Sequence, residues 1–163
     1  MRKSTRYMAH AAIIAALYAV LTHLQNILFP NYASMAIQFR ASEALCVLAF
    51  FTPAAIPGLT VGCLLFNLTF IGSLPLDFLV GTLATLGATA SMRLLRRLPF
   101  LGLLMPALWN AFLVGWELSV YIGGGFWFNA LCVAIGEAAV LLTLGLVLYF
   151  TLKSRNLHTR LFA

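Results

Sequence analysis

Apolar residues in this chain run in long unbroken stretches, and polar residues interrupt them at intervals of about one membrane thickness. The stretches fall at roughly 8 to 28, 38 to 52, 55 to 72, 75 to 95, 100 to 122 and 127 to 152. At about 1.5 Å of rise per residue, some 20 residues cross a hydrocarbon layer about 30 Å thick. The pattern therefore predicts an all-α integral membrane protein with six transmembrane helices. The second span is short and the third follows closely. Between them lies Thr52-Pro53-Ala54-Ala55-Ile56-Pro57-Gly58, whose prolines and glycine end one helix and start the next. The first stretch has no small-residue cleavage site after a short apolar core, so it is expected to be a retained helix and not a signal peptide. Pro30 to Ser34 and Gly123-Gly124-Gly125 are the most flexible stretches by composition. No internal repeat or linker is evident, and a single transmembrane domain over 1–163 is expected.

Composition sharpens this picture. Hydrophobic residues make up 63% of the chain and charged residues 9%, with a mean hydropathy of +0.99. A soluble domain carries roughly a quarter charged residues, so a water-facing surface cannot be built here. Disorder and a secreted disulfide scaffold are excluded on the same grounds. Cys46, Cys63 and Cys132 lie in apolar stretches without metal-ligand spacing and read as core residues, so neither metal nor cofactor is expected.

The net charge of +6 suggests a nucleic-acid partner until the cations are placed. Arg2, Lys3 and Arg6, then Arg93, Arg96 and Arg97, then Lys153, Arg155 and Arg160 account for nine of the ten. With six spans all nine fall on one side, so the positive-inside rule makes both termini cytoplasmic and no nucleic-acid partner is expected. Arg40 is the exception, at the outer end of span two.

The four carboxylates, Glu43, Asp77, Glu117 and Glu137, all fall within spans or at their outer ends. One acidic side chain at a helix centre costs roughly 2.5 to 3.5 kcal/mol, so a chain that keeps several must use them. Glu137 lies about 15 Å down span six, near mid-membrane. Gln38, Asn67 and Asn110 join them in the outer half. Asn110 and Glu117 are seven apart and share a helix face, and Trp109 and Trp116 repeat that spacing on the adjoining face. Tyr18, Thr22 and Gln25 form one stripe of span one, and Thr60, Cys63 and Asn67 one of span three. The arrangement predicts a cavity open to the outside, walled by carboxylates, amides and indoles. Simple neutralisation of Arg40 by Glu43, and asparagines acting as interhelical hydrogen-bond partners, are the plainer readings. A carboxylate-rich cavity favours a ligand offering hydrogen-bond donors or positive charge, and indole faces favour a flat ring or a cation.

The chain has no GxxxxGK[ST] phosphate loop, no HExxH and no GxSxG, so neither ATP hydrolysis nor the commoner intramembrane enzyme chemistries are expected of it. Six helices are half of a typical repeat-built carrier. A binding module that borrows energy from a partner fits better, with a small proton-coupled carrier using Glu137 as the alternative. Ala11, Ala15 and Ala19, with Ala12 and Ala16 beside them, form small-xxx-small stripes suited to close approach of a second helix. The small face Gly81, Ala84, Ala88 and Ser91 of span four is expected to pack internally.

Several strings are more specific than hydrophobicity. They are Ala9 to Ala19 (AHAAIIAALYA), Ile37 to Leu45 (IQFRASEAL), Phe50 to Leu68 (FFTPAAIPGLTVGCLLFNL), Asp77 to Ala88 (DFLVGTLATLGA), Asn110 to Leu118 (NAFLVGWEL) and the segment from Gly136 (GEAAVLL). On these the sequence resembles the queuosine-precursor transporter (QueT) family, substrate-binding S components of energy-coupling factor (ECF) transporters. The resemblance implies a six-helix S-component fold in a prokaryotic plasma membrane that captures a 7-deazaguanine from outside. It also implies docking on a transmembrane coupling protein that carries two ATPase subunits, through the alanines of span one. Gln38, Arg40, Glu43, Asn67, Asp77, Asn110, Glu117 and Glu137 fall in the resembling segments, with Trp109 and Trp116 as stacking candidates. An S component for a different vitamin would keep the fold and change the pocket.

Overall fold

The computed structural model describes residues 3–29, 39–70 and 73–162. Gln38 and the Pro30 to Ser34 stretch lie outside them. All regular structure among the described residues is helical. The first apolar stretch forms α1, Lys3–Leu28. The second winds as a 3-10 segment over Ala41–Val47 and continues as one α-helical turn, α2, Leu48–Phe51. Thr52 ends that turn in extended conformation, φ −135° and ψ 134°, because the ring of a following proline crowds the helical region. Its hydroxyl accepts the Ala54 N–H at 3.3 Å. Helix α3, Ala55–Thr69, starts at once, with Pro57 in its first turn where no intrahelical donor is missed. A merged second and third span is thereby excluded.

Helix α4, Asp77–Leu94, is the fourth span. The fifth combines α5, Pro99–Leu103, with α6, Met105–Tyr121, each opened by a proline near its first position. Gly123, Gly124 and Gly125 then turn the chain with φ of +89°, +83° and +80°, a region in which a Cβ would be strained. The last span is α7, Phe126–Val140, a π-wound segment over Leu141–Gly145, and α8, Leu146–Ser154. A short α9, Leu157–Phe162, closes the described chain. Lys3–Leu28, Pro99–Tyr121 and Phe126–Ser154 are each long and apolar enough to cross a membrane. The six helical spans of an integral membrane protein lie where the apolar pattern predicts them.

Helix α1 packs on α3, α3 on α4, α4 on α6, and α6 on α7. The 41–51 span sits inside this arc, against α1, α3, α4, α7, α8 and the π segment. That enclosure explains why Ser42, Glu43, Cys46, Val47 and Ala49 are all buried although they point in different directions. Gly58 and Gly62 of α3 let that helix approach α1 closely. A Cβ on them would come within 2.8 Å of the Ala11 carbonyl oxygen and 2.7 Å of the Ala15 carbonyl oxygen, respectively.

This contact separates the two alanine stripes of α1. Ala15 is buried at the α3 contact, with Ala11 beside it, whereas Ala12 and Ala16 are exposed and Ala19 is half-buried. Ala11 and Ala15 therefore spend their small size inside the bundle, and the stripe open to another helix is Ala12 and Ala16. On α4, Ala84 and Ala88 are fully buried and Gly81 meets Asn67, so that small face packs internally as expected.

The basic ends of the spans share one end of the bundle. Arg93 donates to the Phe50 carbonyl at 3.0 Å, Tyr7 to the Pro53 carbonyl at 3.4 Å, and Phe50 meets the Tyr149 ring edge-on at 5.7 Å. The apolar core forms two clusters. The one towards the basic end includes Val47, Leu59, Met92, Leu103, Ala107 and Leu141, and the other Val80, Val114, Leu118 and Val133. Asn110 on α6 and Glu137 on α7 fall between the two clusters along their helices, so a polar layer separates two apolar ones.

Candidate functional site

The polar layer is built from residues that each helix turns inward. On α6 the inward face carries Ala107, Asn110, Ala111, Val114, Glu117 and Leu118, all buried. On α7 it carries Val133, Gly136, Glu137 and Val140. Glu43, Glu117 and Glu137 are 0% exposed, Asn110 is 2% and Arg40 is 6%. Arg40 lies within electrostatic reach of Glu43, Glu137 and Glu117, and Glu117 faces Asp77 at the start of α4. Three of the four acidic residues thus lie within electrostatic reach of one guanidinium, and the fourth, Asp77, meets Glu117.

Their hydrogen bonds divide them into two kinds. Glu43 is committed: Tyr18 donates to its Oε1 at 2.5 Å and the Cys46 thiol to its Oε2 at 3.2 Å. Asp77 accepts the Leu74 N–H at 2.6 Å, which fixes the first turn of α4, and the helix N-terminus favours its charge. Asn67 donates to the Asp77 carbonyl at 2.8 Å and ties α3 to α4. By contrast, both oxygens of Glu137, Nδ2 of Asn110 and Nε of Arg40 are buried with no hydrogen-bond partner among the described residues, and the buried Glu117 oxygens meet no donor there apart from the Asp77 carboxyl. An unmade buried hydrogen bond costs about 1–3 kcal/mol per group, more for a charge. Such groups mark where a polar partner from outside the chain would be most strongly held.

The two indoles belong elsewhere. Trp109 is 39% and Trp116 49% exposed, on the outward face of α6. The Trp109 ring lies over Gly87 of α4, where a Cβ would come within 2.6 Å of it, and its N–H donates to Ser91 at 3.1 Å. Heptad spacing keeps both tryptophans on one stripe, as expected, but that stripe is turned away from the polar layer because the small and acidic residues of α6 occupy the inward side.

The α1 stripe, expected in the cavity wall but not among the candidate ligand residues, faces the polar layer. Tyr18 is 1% and Thr22 0% exposed. Thr22 donates to the Tyr18 carbonyl and meets the Ser42 hydroxyl, both at 2.7 Å. Gln25 donates to the Phe39 carbonyl, and its Oε1 accepts the Ala41 N–H at 2.7 Å. The spacing of Tyr18, Thr22 and Gln25 was a legible signal, but what the stripe touches was not.

The family model described as QueT transporter matches residues 8–154. This chain belongs to the QueT transporter family. The matched region contains every described candidate residue and all six spans, so the buried layer of this QueT family member is a property of the matched region. Over 87 residues the chain is 40% identical to "Queuosine precursor transporter QueT" of Lactococcus lactis subsp. cremoris (strain MG1363). That match covers 53% of this chain and 49% of the relative, about half the length of each. No solved structure matches the chain. The protein is accordingly a membrane protein of a transporter family.

Proposed function

We propose that this protein is the membrane-embedded, substrate-binding S component of an ECF importer, taking up a queuosine precursor of the 7-deazaguanine class. The observation that carries this reading is the pair Glu117 and Glu137, fully buried, whose four carboxylate oxygens meet no donor among the described residues apart from the Asp77 carboxyl that faces Glu117. A 7-deazaguanine presents a ring N–H and an exocyclic amine side by side, and a carboxylate meets such a pair with two parallel hydrogen bonds. A 7-aminomethyl substituent adds a cation that the second carboxylate would hold. Asn110 Nδ2 and Arg40 Nε offer donors to the ring carbonyl. Asp77 and Asn67 shape the site from behind, and Gln38, outside the described residues, stays a candidate by its place in the sequence. The relative's printed name supports the substrate class.

The orientation belongs to the same reading. The basic residues that the sequence gathers at one side of six spans would make that side cytoplasmic by the positive-inside rule, in a prokaryotic plasma membrane, so the polar layer would be reached from outside. Exposed Ala12 and Ala16 then present a small-residue face to a transmembrane coupling protein, which would bring two ATPases. Uptake would draw on ATP through that complex, since this sequence carries no phosphate loop of its own.

Calorimetric titration of the purified chain with guanine, the nitrile and aminomethyl deazaguanines, and queuine tests the substrate class. Glu117→Gln and Glu137→Gln should each weaken binding by about 2–5 kcal/mol, roughly 30-fold to several thousand-fold. No heat with any of these compounds would sink the substrate assignment. Uptake in proteoliposomes that follows a pH gradient without the ATPases would instead favour the proton-coupled carrier.

A further inference from the structure

Among the described residues two helical segments are not α-wound, and they pack on each other: the 3-10 segment 41–47 and the π segment 141–145. Seven residues is long for a 3-10 run, which seldom exceeds three or four because its hydrogen bonds are poorly aligned. Nothing in Ala41-Ser42-Glu43-Ala44-Leu45-Cys46-Val47 demands it, since alanine, leucine and glutamate favour the α-helix. The winding must be imposed from outside the segment.

The polar stripe of α1 is what grips it. Gln25 holds both the Phe39 carbonyl and the Ala41 N–H, Thr22 meets Ser42, and Tyr18 meets Glu43. These contacts run down α1 at spacings of three and four, one helix face, while their partners advance only from 39 to 43. The winding in turn determines what faces the site. With three residues per turn, Glu43 and Cys46 stack in register, which lets the thiol reach the carboxylate at 3.2 Å. The segment starts at Arg40, whose carbonyl accepts the Glu43 N–H at 3.0 Å. An α-helix turns about 20° less per residue, so rewinding would rotate Arg40 and Glu43 progressively away from Cys46 and Glu137.

We infer that Tyr18, Thr22 and Gln25 are positioning residues, which hold segment 41–47 in its 3-10 winding and thereby aim Arg40 at the ligand site. Glu43 serves as the anchor for Tyr18 and does not contact ligand. The ligand arm of the test rests on the deazaguanine reading above; the ligand-free arm does not.

Amide hydrogen exchange of the purified, ligand-free protein reads the winding directly. Tyr18→Phe and Thr22→Val should each speed exchange across residues 43–47 by about 10-fold, the effect of losing one hydrogen bond, whereas Thr22→Ser, which keeps the hydroxyl, should match the parent. With 7-aminomethyl-7-deazaguanine as probe, Tyr18→Phe should weaken binding by about 10-fold in the parent and have no further effect in a Glu43→Met background, where no acceptor for the hydroxyl remains. Parent-like exchange in both Tyr18→Phe and Thr22→Val, or equal exchange in Thr22→Ser and Thr22→Val, would overturn the inference. Faster exchange with unchanged probe affinity would overturn the positioning role. Failure of the parent to bind the probe would count against the substrate class alone, since the exchange result stands without it.

Discussion

Glu43 and Glu137 are both glutamates, both 0% exposed and both in the polar layer, yet replacing each by methionine should move stability in opposite directions. Methionine has nearly the volume of glutamate and is flexible enough to fill either site, so cavity and overpacking effects stay small in the comparison. At Glu137 the substitution removes two buried oxygens that have no partner. Each such group costs about 1–3 kcal/mol, so the ligand-free protein should gain on the order of 2 kcal/mol. At Glu43 the same change breaks the 2.5 Å bond from Tyr18 and the 3.2 Å bond from Cys46. It also leaves the Tyr18 hydroxyl buried and unpaired, for a loss of roughly 2–4 kcal/mol. One kcal/mol corresponds to about 2–4 °C in Tm for a chain of this length. Thermal unfolding in detergent, followed by tryptophan fluorescence or by retention of the monomer peak, should therefore place Glu137→Met several degrees above the parent and Glu43→Met several degrees below it. Deazaguanine binding should be lost in Glu137→Met despite its higher Tm, as expected of a group kept for ligand at the expense of stability. If Glu137→Met were destabilised as strongly as Glu43→Met, the reasoning from unpartnered oxygens would be refuted.

Three further substitutions check other parts of the structure. Gly62→Ala puts a methyl group 2.7 Å from the Ala15 carbonyl oxygen and 2.8 Å from Tyr18 Cβ. Forcing α1 and α3 apart should cost about 1–3 kcal/mol, read as a lower Tm; an unchanged Tm would show that the two helices are not in tight contact. Trp109→Phe should cost less than about 1 kcal/mol by losing the Ser91 bond and leave deazaguanine affinity at the parent value, whereas a tenfold weaker titration would return this indole to the site. Arg93→Lys keeps the positive charge at the basic end while removing the planar group that reaches the Phe50 carbonyl at 3.0 Å and the Ala49 carbonyl at 3.4 Å. It should preserve membrane topology, checked by cysteine accessibility at the termini, and lower Tm by a few degrees through the uncapped end of α2.

Orphaned carboxylates and a committed one have the same appearance in a sequence. Glu43, Asp77, Glu117 and Glu137 are equally conspicuous there, because any acid in an apolar span stands out. The neighbour that commits Glu43 comes from another helix, Tyr18, 25 residues away, whereas Asp77 is held by the backbone of its own turn. The tryptophans illustrate the converse. A seven-residue repeat shows that Trp109 and Trp116 share a face, but which face turns inward is decided by what α4 and α7 present. Gly87 leaves room for an indole on α4, and Gly115 lets α6 approach Ala130 of α7 so closely that a Cβ would come within 2.7 Å.

The sequence by itself determined the quantities that depend on one helix at a time. These are the number and bounds of the spans, the short second one, the proline break at residues 52–58, the glycine turn and the gathering of basic residues at one end. Transfer into a bilayer is a sum over consecutive residues, so a linear string is enough to read it. Only the tertiary structure decided the rest. It divided the alanines of α1 into a packed pair at Ala11 and Ala15 and an exposed pair at Ala12 and Ala16. It wound residues 41–47 as a 3-10 helix beside Tyr18, Thr22 and Gln25, and it left both Glu137 oxygens without a hydrogen-bond partner among the described residues. Inside a membrane bundle, hydrogen bonds and close packing between helices are set by which faces meet. That choice is made by all six spans together.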